Sequence, residues 1–484
     1  MASTSNIIPS SASPTAVDVV VVGAGLSGLR AALAIQAAGI SCAVVEATDR
    51  VGGKTLTLRS KKAGPGVNDL GAAWINDTSQ SEMHKLVQRY GLQTVVQMDT
   101  GLDVHLHGDE VVVCPHGVLS LEEEEQRALG HVFEACKELN ASFSLDDPAS
   151  GRVAKELDSL SFHDYCLQTF QSESIADLFN MISQSLIGIE SKDISALSFF
   201  HSCKSGTGLE NMISDGKNGG QYLRLREGAQ SISMNMAKEL KAGSLHLSTP
   251  VTEIKQSTRT RRCIVRSSNG TVLEAKKVII SVATPLYRTI QFTPPLPPYK
   301  QCLAQDNMLG YYSKIIFVFN EPWWRNAGLS GEMKSQDRGP ILFSVDTSVP
   351  DDDQWSISCF IVGGHGIEWS RLSEEERRSS AWTQLYSAFK KVKLEFGQIQ
   401  ITDPINVLEF EWTKQEFFHG GPCPASPPGL LSSIDGIAIR EPFGSVHFVG
   451  TETALEWKGY MEGAVRSGDR GAEEIVAVLR EELI

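Results

Sequence analysis

Cysteine is sparse and unpatterned in this chain: nine residues in 484, at positions 42, 114, 136, 166, 203, 263, 302, 359 and 423, with no two in C-x-x-C spacing. An odd, scattered set excludes a disulfide framework and a thiolate zinc site, and reads as reduced thiols in a cytosolic-type compartment. Histidines and carboxylates are scattered as well, without metal-ligand spacing, so no metal site is expected. Long hydrophobic runs are missing too. No stretch approaches the roughly 20 apolar residues that a bilayer span needs. The N-terminus MASTSNIIPSSASPTA has neither the basic region nor the apolar core of a secretory signal. The sequons at Asn76, Asn140 and Asn269 are therefore read as coincidental. Residues Glu481 to Ile484 form no hydrophobic tail and no peroxisomal tripeptide. Positive charge is in deficit, with a net charge of -14, which favours solubility and argues against a nucleic-acid partner. Together these absences predict a soluble, cytoplasmic protein with no membrane anchor. A homodimer is left open.

What is present is a globular composition, 41% hydrophobic and 21% charged, in a chain too long for a single core. Residues 1–16, rich in Ser, Pro and Thr, read as a disordered tail. A complete dinucleotide-binding unit follows over residues 16–46. The apolar run Val19 to Val22 is a buried parallel strand, Gly23-Ala-Gly25-Leu26-Ser27-Gly28 is a tight turn, and Leu29 to Ala38 is a helix. Each glycine has its own task. Gly23 permits the turn, Gly25 lets backbone approach a pyrophosphate at the helix N-terminus, and Gly28 allows helix to pack on strand. Glu46, ending a second strand from Cys42, can accept hydrogen bonds from a ribose diol.

The following segment, Ala47-Thr-Asp-Arg50-Val-Gly52-Gly53-Lys54-Thr55, adds a second glycine turn carrying cations, which a plain NAD domain does not require. This stretch resembles the flavin monoamine oxidase family, which carries an acid, an arginine, two glycines and a further basic residue in this order. The resemblance implies FAD as cofactor. It also implies an α/β flavin amine oxidase fold, in which an FAD-binding Rossmann-like domain is interleaved with an α+β substrate domain. The family pattern ends in arginine where this chain has Lys54, a point charge without the bidentate fork. The expected boundaries are 17–85, 221–290 and 406–484 for the FAD domain, and 86–220 and 291–405 for the substrate domain.

Along the chain, Gly71-Ala-Ala73-Trp74 occupies the family's small-residue turn under the flavin. Residues near 85 to 215 read as mainly helical, with a capping-box spacing at Ser120 to Glu123. Leu245 to Pro250 reads as a strand and bend, and Val251 matches the residue whose backbone meets the adenine. The acidic loop Asp351 to Asp353 reads as a solvated turn.

Residues 309–319 alternate apolar side chains on both faces, so they form a buried strand in which Lys314 is costly unless it is used. With the family-like Glu321-Pro-Trp-Trp-Arg325 behind it, the resemblance assigns Lys314 to a water at flavin N5, where oxygen is reduced. The stretch Gly450-Thr-Glu452-Thr453, then Trp457-Lys-Gly459-Tyr460-Met461-Glu462-Gly463-Ala464, matches the family nearly letter for letter apart from Lys458. It implies a helix opening at Met461 toward the flavin pyrimidine, which would stabilise the reduced ring. By the same resemblance Tyr460 is one wall of an aromatic box for the amine, and Trp412 packs on the flavin or is an ordinary core tryptophan.

The departures bear on specificity. In His419-Gly-Gly-Pro422-Cys423-Pro-Ala-Ser-Pro-Pro-Gly429, counting back from Pro-Pro-Gly puts Pro422 where animal members have the flavin-linking cysteine, and Cys423 at the second wall. The FAD is then non-covalent, although a one-residue slip would bring Cys423 to the ring. Ser205 stands in for a longer polar gate residue, and both changes widen the entrance. The expected reaction is oxidation of an amine by oxygen to a carbonyl, ammonia and hydrogen peroxide. The substrate expected from soluble fungal relatives is a primary amine on a long aliphatic or amino-polyol chain, fumonisin-like or sphingoid-like. Polyamine oxidation is the alternative, and a non-enzymatic binding protein of the same fold is the alternative of another class.

Overall fold

The computed structural model describes residues 15–482 apart from 109, 140–141, 258, 336–338, 394–398 and 435–437. The tail expected over 1–16 lies outside the described residues up to 14, and Thr15 and Ala16 already belong to the first strand. That strand, β1 (Thr15–Val22), leads through the glycine turn into helix α1 (Leu26–Ala37) and strand β2 (Cys42–Val45). The helix opens three residues earlier than the sequence suggests, because Gly25 itself is its N-cap.

β1 is the centre of the larger sheet. It pairs in parallel with β2 on one side and with Val272–Ile280 on the other. Beyond β2 lies Leu245–His246. The outer edge of Val272–Ile280 is divided: its first half pairs antiparallel with Arg262–Ser267, and its last three residues pair in parallel with Val446–Phe448. Val19, Val20 and Val21 are fully buried, as expected of a parallel strand covered on both faces. α1 covers one face together with the C-terminal helix Met461–Glu481. These two helices meet backbone to backbone. A Cβ on Gly468 would fall 2.4 Å from Ser27 O, so a larger residue there would push α1 off the sheet.

A second sheet of seven strands runs in the order Asn406–Glu411, Tyr312–Phe319, Trp355–Val362, Phe343–Asp346, Leu329–Ser335, Leu102–His107 and Glu110–Pro115. The region near 85–215 is mainly helical, as expected, but its first part also supplies strands: Thr94–Val96 pairs with the return strand Leu223–Leu225, and Leu102–His107 and Glu110–Pro115 complete the second sheet. Two expectations are corrected. Asn406–Glu411, placed at the start of the last FAD-domain segment, hydrogen-bonds to Tyr312–Phe319. Gln291–Thr293, placed in the substrate segment, pairs instead with Val251–Ser257 of the larger sheet.

The capping box expected at Ser120 does not form. The helix starts at Glu123, the Glu122 N–H donates to Glu125, and the Ser120 N–H donates to His105 Nδ1. The acidic loop is also more than solvated: Asp352 accepts from Arg226 Nε at 3.0 Å, tying the return strand to the second sheet. Asn76 is fully buried, with its amide oxygen accepting from the backbone of Thr78, Ser79 and Gln80, so it is no glycan acceptor in the folded chain. Among the described residues no helix is long and apolar enough to cross a membrane.

Candidate active site

One continuous cavity of about 640 Å³ runs from the glycine turn, past Glu46 and Val251, to Lys314 and Tyr460. Its volume falls in the range of cofactor and small-molecule sites. The glycine turn shows what its first end accommodates. Gly23 has φ +101°, and a Cβ there would sit 2.5 Å from Ser281 Oγ. A Cβ on Gly28 would lie 2.0 Å from Gly23 O. Gly25 is different. Its φ of -73° suits any residue, and within 4 Å its Cβ would meet only Gly53 Cα, so the space beside it is left for something else. No side chain caps α1 and its first turn holds no acid, so its free N–H groups face the cavity as an anion site. Glu46 is buried, with Oε2 accepting from Ala24 N at 2.7 Å and Oε1 accepting from both the N–H and the hydroxyl of Thr48; Oε2 retains acceptor capacity for a ribose hydroxyl. These residues fit the dinucleotide end of FAD.

The second glycine turn is held by Arg50, which donates to Thr55 O at 2.9 Å and Gly53 O at 2.8 Å and lies over the Trp412 and Phe418 rings. Lys54, expected at a phosphate, donates to Pro422 O at 3.0 Å, with Glu452 and Cys423 nearby. Burial pulls its ammonium below the ordinary lysine range. Gly71 is forced small, since its Cβ would fall 2.0 Å from Lys54 O. Ala73 and Trp74 follow on the cavity wall.

Lys314 projects from its buried strand to donate to Gly71 O at 2.6 Å and Asp69 O at 3.1 Å, over the faces of Trp74 and Phe360. Burial pulls it down to about 8, while Asp69 raises it and Arg224 lowers it further. Arg224 is a fixed buried cation, donating to Thr347 O, Ser348 O and Gln97 Oε1, and Gln97 in turn accepts from the Trp74 indole at 3.0 Å. Trp412 donates to Leu70 O at 3.0 Å and presents its ring to the cavity.

At the far end Tyr460 is the N-cap of the C-terminal helix, which starts at Met461 with no side-chain cap. Its ring packs edge-on against Trp457, and burial raises its phenol. Thr451 fixes the turn before it, donating to Tyr460 O at 2.8 Å and accepting from Gly459 N at 2.8 Å. Glu462, in the helix's first turn, serves another helix: its carboxylate accepts from Glu82 N and Met83 N at the start of Ser81–Tyr90. Glu452 accepts from Thr284 N at 3.0 Å, and burial raises its carboxyl. Cys423 and Pro422 both line the cavity, and burial pushes the Cys423 thiol up to about 12.

Ser205 is not a gate. Its hydroxyl donates to Leu455 O at 2.7 Å and accepts from Lys458 N at 2.8 Å, which anchors the loop before Tyr460. The cavity wall in this region is made instead by Met212, Gly220 and Gln221, which sequence reasoning missed. The glycine pair before Gln221 was the available signal.

Asp103, His116 and Glu332, far apart in sequence, are brought together by the fold. The grouping is an ion-pair network: His116 donates from Nδ1 to Asp103 at 2.8 Å and from Nε2 to Asp215 at 2.7 Å, and Lys334 neutralises Glu332. The bond to Asp103, then that to Asp215, raises His116 from 6.5 to about 10. Its contribution to stability is therefore complete below pH 6.5 and is lost as pH rises through 10. The stability gap between wild type and His116→Gln, read from thermal melts, is expected to narrow from pH 6 to pH 10. A constant gap would show that His116 is neutral throughout.

The sequence pattern of the family "Flavin containing amine oxidoreductase" matches residues 26–476. The chain is 30% identical over 464 residues to the "Probable flavin-containing monoamine oxidase A" of Dictyostelium discoideum, covering 95% of this chain and 98% of the relative. It is 31% identical to "Amine oxidase [flavin-containing] B" of Canis lupus familiaris, covering 95% of this chain and 86% of that protein. Among solved structures it is similar to wild-type putrescine oxidase bound to putrescine (TM-score 0.86, 26% identity, 96% of this chain and 100% of that one). It is likewise similar to cyclohexylamine oxidase from Brevibacterium oxydans IH-35A (TM-score 0.85, 28% identity, 96% and 99%).

Proposed function

The chain belongs to the flavin containing amine oxidoreductases, enzymes that use FAD, and from that premise we propose that it oxidises a primary amine on a long aliphatic or amino-polyol chain, of fumonisin or sphingoid type. The products are a carbonyl compound, ammonia and, with oxygen as acceptor, hydrogen peroxide. The observation that carries this reading is the charge pattern of the cavity. Its described carboxylates are Glu46 at the dinucleotide end, the buried Glu452 beside Lys54, and the solvent-exposed Glu416. The wall made by Trp74, Leu186, Met212, Phe360 and Tyr460 offers a second ammonium no counter-charge. A polyamine would leave a buried cation unpaired there, whereas an uncharged tail is buried at no such cost.

FAD supplies a hydride acceptor when bound. The chain's own residues do the rest. The apolar wall favours the neutral amine, since burial disfavours the ammonium. Tyr460 and Cys423 position the amine, Trp412 backs the cofactor, and Lys314 holds a water for the oxygen step.

Anaerobic addition of a long-chain monoamine such as sphinganine is expected to bleach the visible bands of the purified protein. Putrescine, which is bound in the structure of the similar putrescine oxidase, is expected to leave them unchanged; bleaching by putrescine alone would reverse the assignment. The cofactor is held non-covalently, with Pro422 at the linking position. Acid precipitation should therefore release all the flavin from wild type and from Cys423→Ala alike. Flavin retained in the wild-type pellet and released from Cys423→Ala would mean that Cys423 is the link.

A further inference from the structure

The Lys314 ammonium has three N–H donors. Two are used, on Gly71 O at 2.6 Å and Asp69 O at 3.1 Å, so one is left for a water or reactant in the cavity. A buried lysine needs a counter-charge to stay an ammonium, yet a carboxylate bonded to it directly would consume that last donor. Asp69 meets both demands. Its carbonyl takes the ammonium, while its carboxylate is held elsewhere, by the Thr57 hydroxyl and by the Ala229 N–H at 3.0 and 3.1 Å from the two oxygens. Thr57 faces Asp69 across the paired strands Thr57–Arg59 and Val67–Asp69. Ala229 is the N-cap of the helix Gln230–Glu239, whose first turn has no acid of its own. A hydroxyl donor and a helix N-terminus both favour the ionised carboxylate and keep it from collapsing onto Lys314. Two charges act on Lys314, and they oppose each other: Asp69 favours the ammonium, and Arg224, fixed by Thr347 O and Ser348 O, disfavours it. The strands on either side of Lys314 place Phe360 and Phe410 next to it, and these carry no charge. Burial raises the Asp69 carboxyl to about 6, so it is ionised throughout the range in which Lys314 titrates.

Resting on the oxygen step proposed for Lys314, we infer that Asp69 is the positioning residue of that step: its carbonyl aims the ammonium and its anchored carboxylate keeps the ammonium charged, while the third N–H stays free. In that step dioxygen takes two electrons from the reduced cofactor and two protons, and leaves as hydrogen peroxide. A fixed ammonium meets the negative charge that develops on oxygen before the protons arrive. Asp69 itself does not line the cavity, so it acts through Lys314.

The test is the pH dependence of reoxidation in Asp69→Asn, which keeps the size and an acceptor oxygen but not the charge. The holoenzyme is reduced with dithionite, so that no amine is needed, and mixed with oxygen in a stopped-flow instrument. In wild type the rate is expected to fall as pH rises through about 8, where Lys314 loses its proton. In Asp69→Asn the fall is expected about one pH unit lower, the low end of the shift that a neighbouring opposite charge produces, which makes the variant about fivefold slower at pH 8. Asp69→Glu, which restores a carboxylate, should return the fall to the wild-type position. Thermal melts of the apo protein give a readout free of turnover. The stability that Lys314 contributes rises with pH from its folded pKa upward. Measured against the matching Lys314→Met variants from about pH 6.5 to 10, that rise should start about one unit lower in Asp69→Asn than in wild type. Either readout unmoved would overturn the assignment of Asp69 and leave amine oxidation in place. Failure of every amine to bleach the protein would overturn the proposed function and leave this test intact. Should Asp69→Asn not fold, Asp69→Ser, also neutral, reads the same shift.

Discussion

Gly25→Ala is expected to purify as a folded, nearly colourless protein, whereas Gly28→Ala is expected to lose stability before cofactor binding is even considered. The contrast follows from what each Cβ would meet. Beside Gly25 there is only Gly53 Cα, at 3.8 Å, and the backbone is in a region open to alanine, so the apo protein has no reason to resist the methyl. The methyl instead fills space that the uncapped N–H groups of α1 leave for an anion. Losing one or two charge-assisted hydrogen bonds, at about 1.5 to 3 kcal/mol each, weakens FAD binding by roughly ten- to a hundredfold or more. At Gly28 the Cβ would sit 2.0 Å from Gly23 O and 2.7 Å from Ser281 Oγ, so α1 must move off β1 at a cost of about 1 to 3 kcal/mol. Titrating FAD into the apo forms and melting them without FAD separates the two effects. Equal losses of apo stability in both variants would mean that Gly25 is a packing glycine and not a cofactor contact.

The glycine turn is legible in sequence because backbone geometry, not distant neighbours, decides it: a buried valine run, three glycines and a helix occupy consecutive positions. Lys314 stands out for a related reason, a charge inside a strand apolar on both faces. Leu102–His107 shows where such reading stops. Asp103 and His105 are buried in a strand, which a polarity pattern takes for solvent exposure, because the partners of Asp103, Ser330 and His116, and that of His105, the Ser120 N–H, arrive from outside the strand. Strand pairing is non-local in the same way. Nothing in Asn406–Glu411 itself says that Tyr312–Phe319 has an open edge to receive it. Gly220 and Ser205 make the point at the site: both are small, and only the neighbours brought by folding reveal that one is packed against Tyr460 and Trp457 and the other anchors backbone.

Lys314→Met is expected to keep its fold and its flavin and to slow reoxidation by oxygen about a hundredfold, the order lost when one preorganised charged donor is removed from a buried site. The ammonium is bound to the carbonyls of Gly71 and Asp69 and lies over two aromatic faces, so it is fixed in place before any reactant enters. Methionine fills the same volume without charge, and replacing a costly buried cation by an apolar chain is neutral or stabilising. The pH dependence has a definite sign. Burial lowers Lys314 from 10.5 to about 8, so between those values the unfolded chain binds a proton that the folded chain has released. Stability from this residue therefore rises with pH across that window, opposite in direction to the contribution of His116, and Lys314→Met should abolish the rise. Stopped-flow mixing of the reduced enzyme with oxygen reads the functional half, and melts from pH 7 to 10 read the other. A variant whose stability profile changes while its oxygen reactivity does not would leave Lys314 as a buried charge in the cavity wall and remove it from the oxygen step.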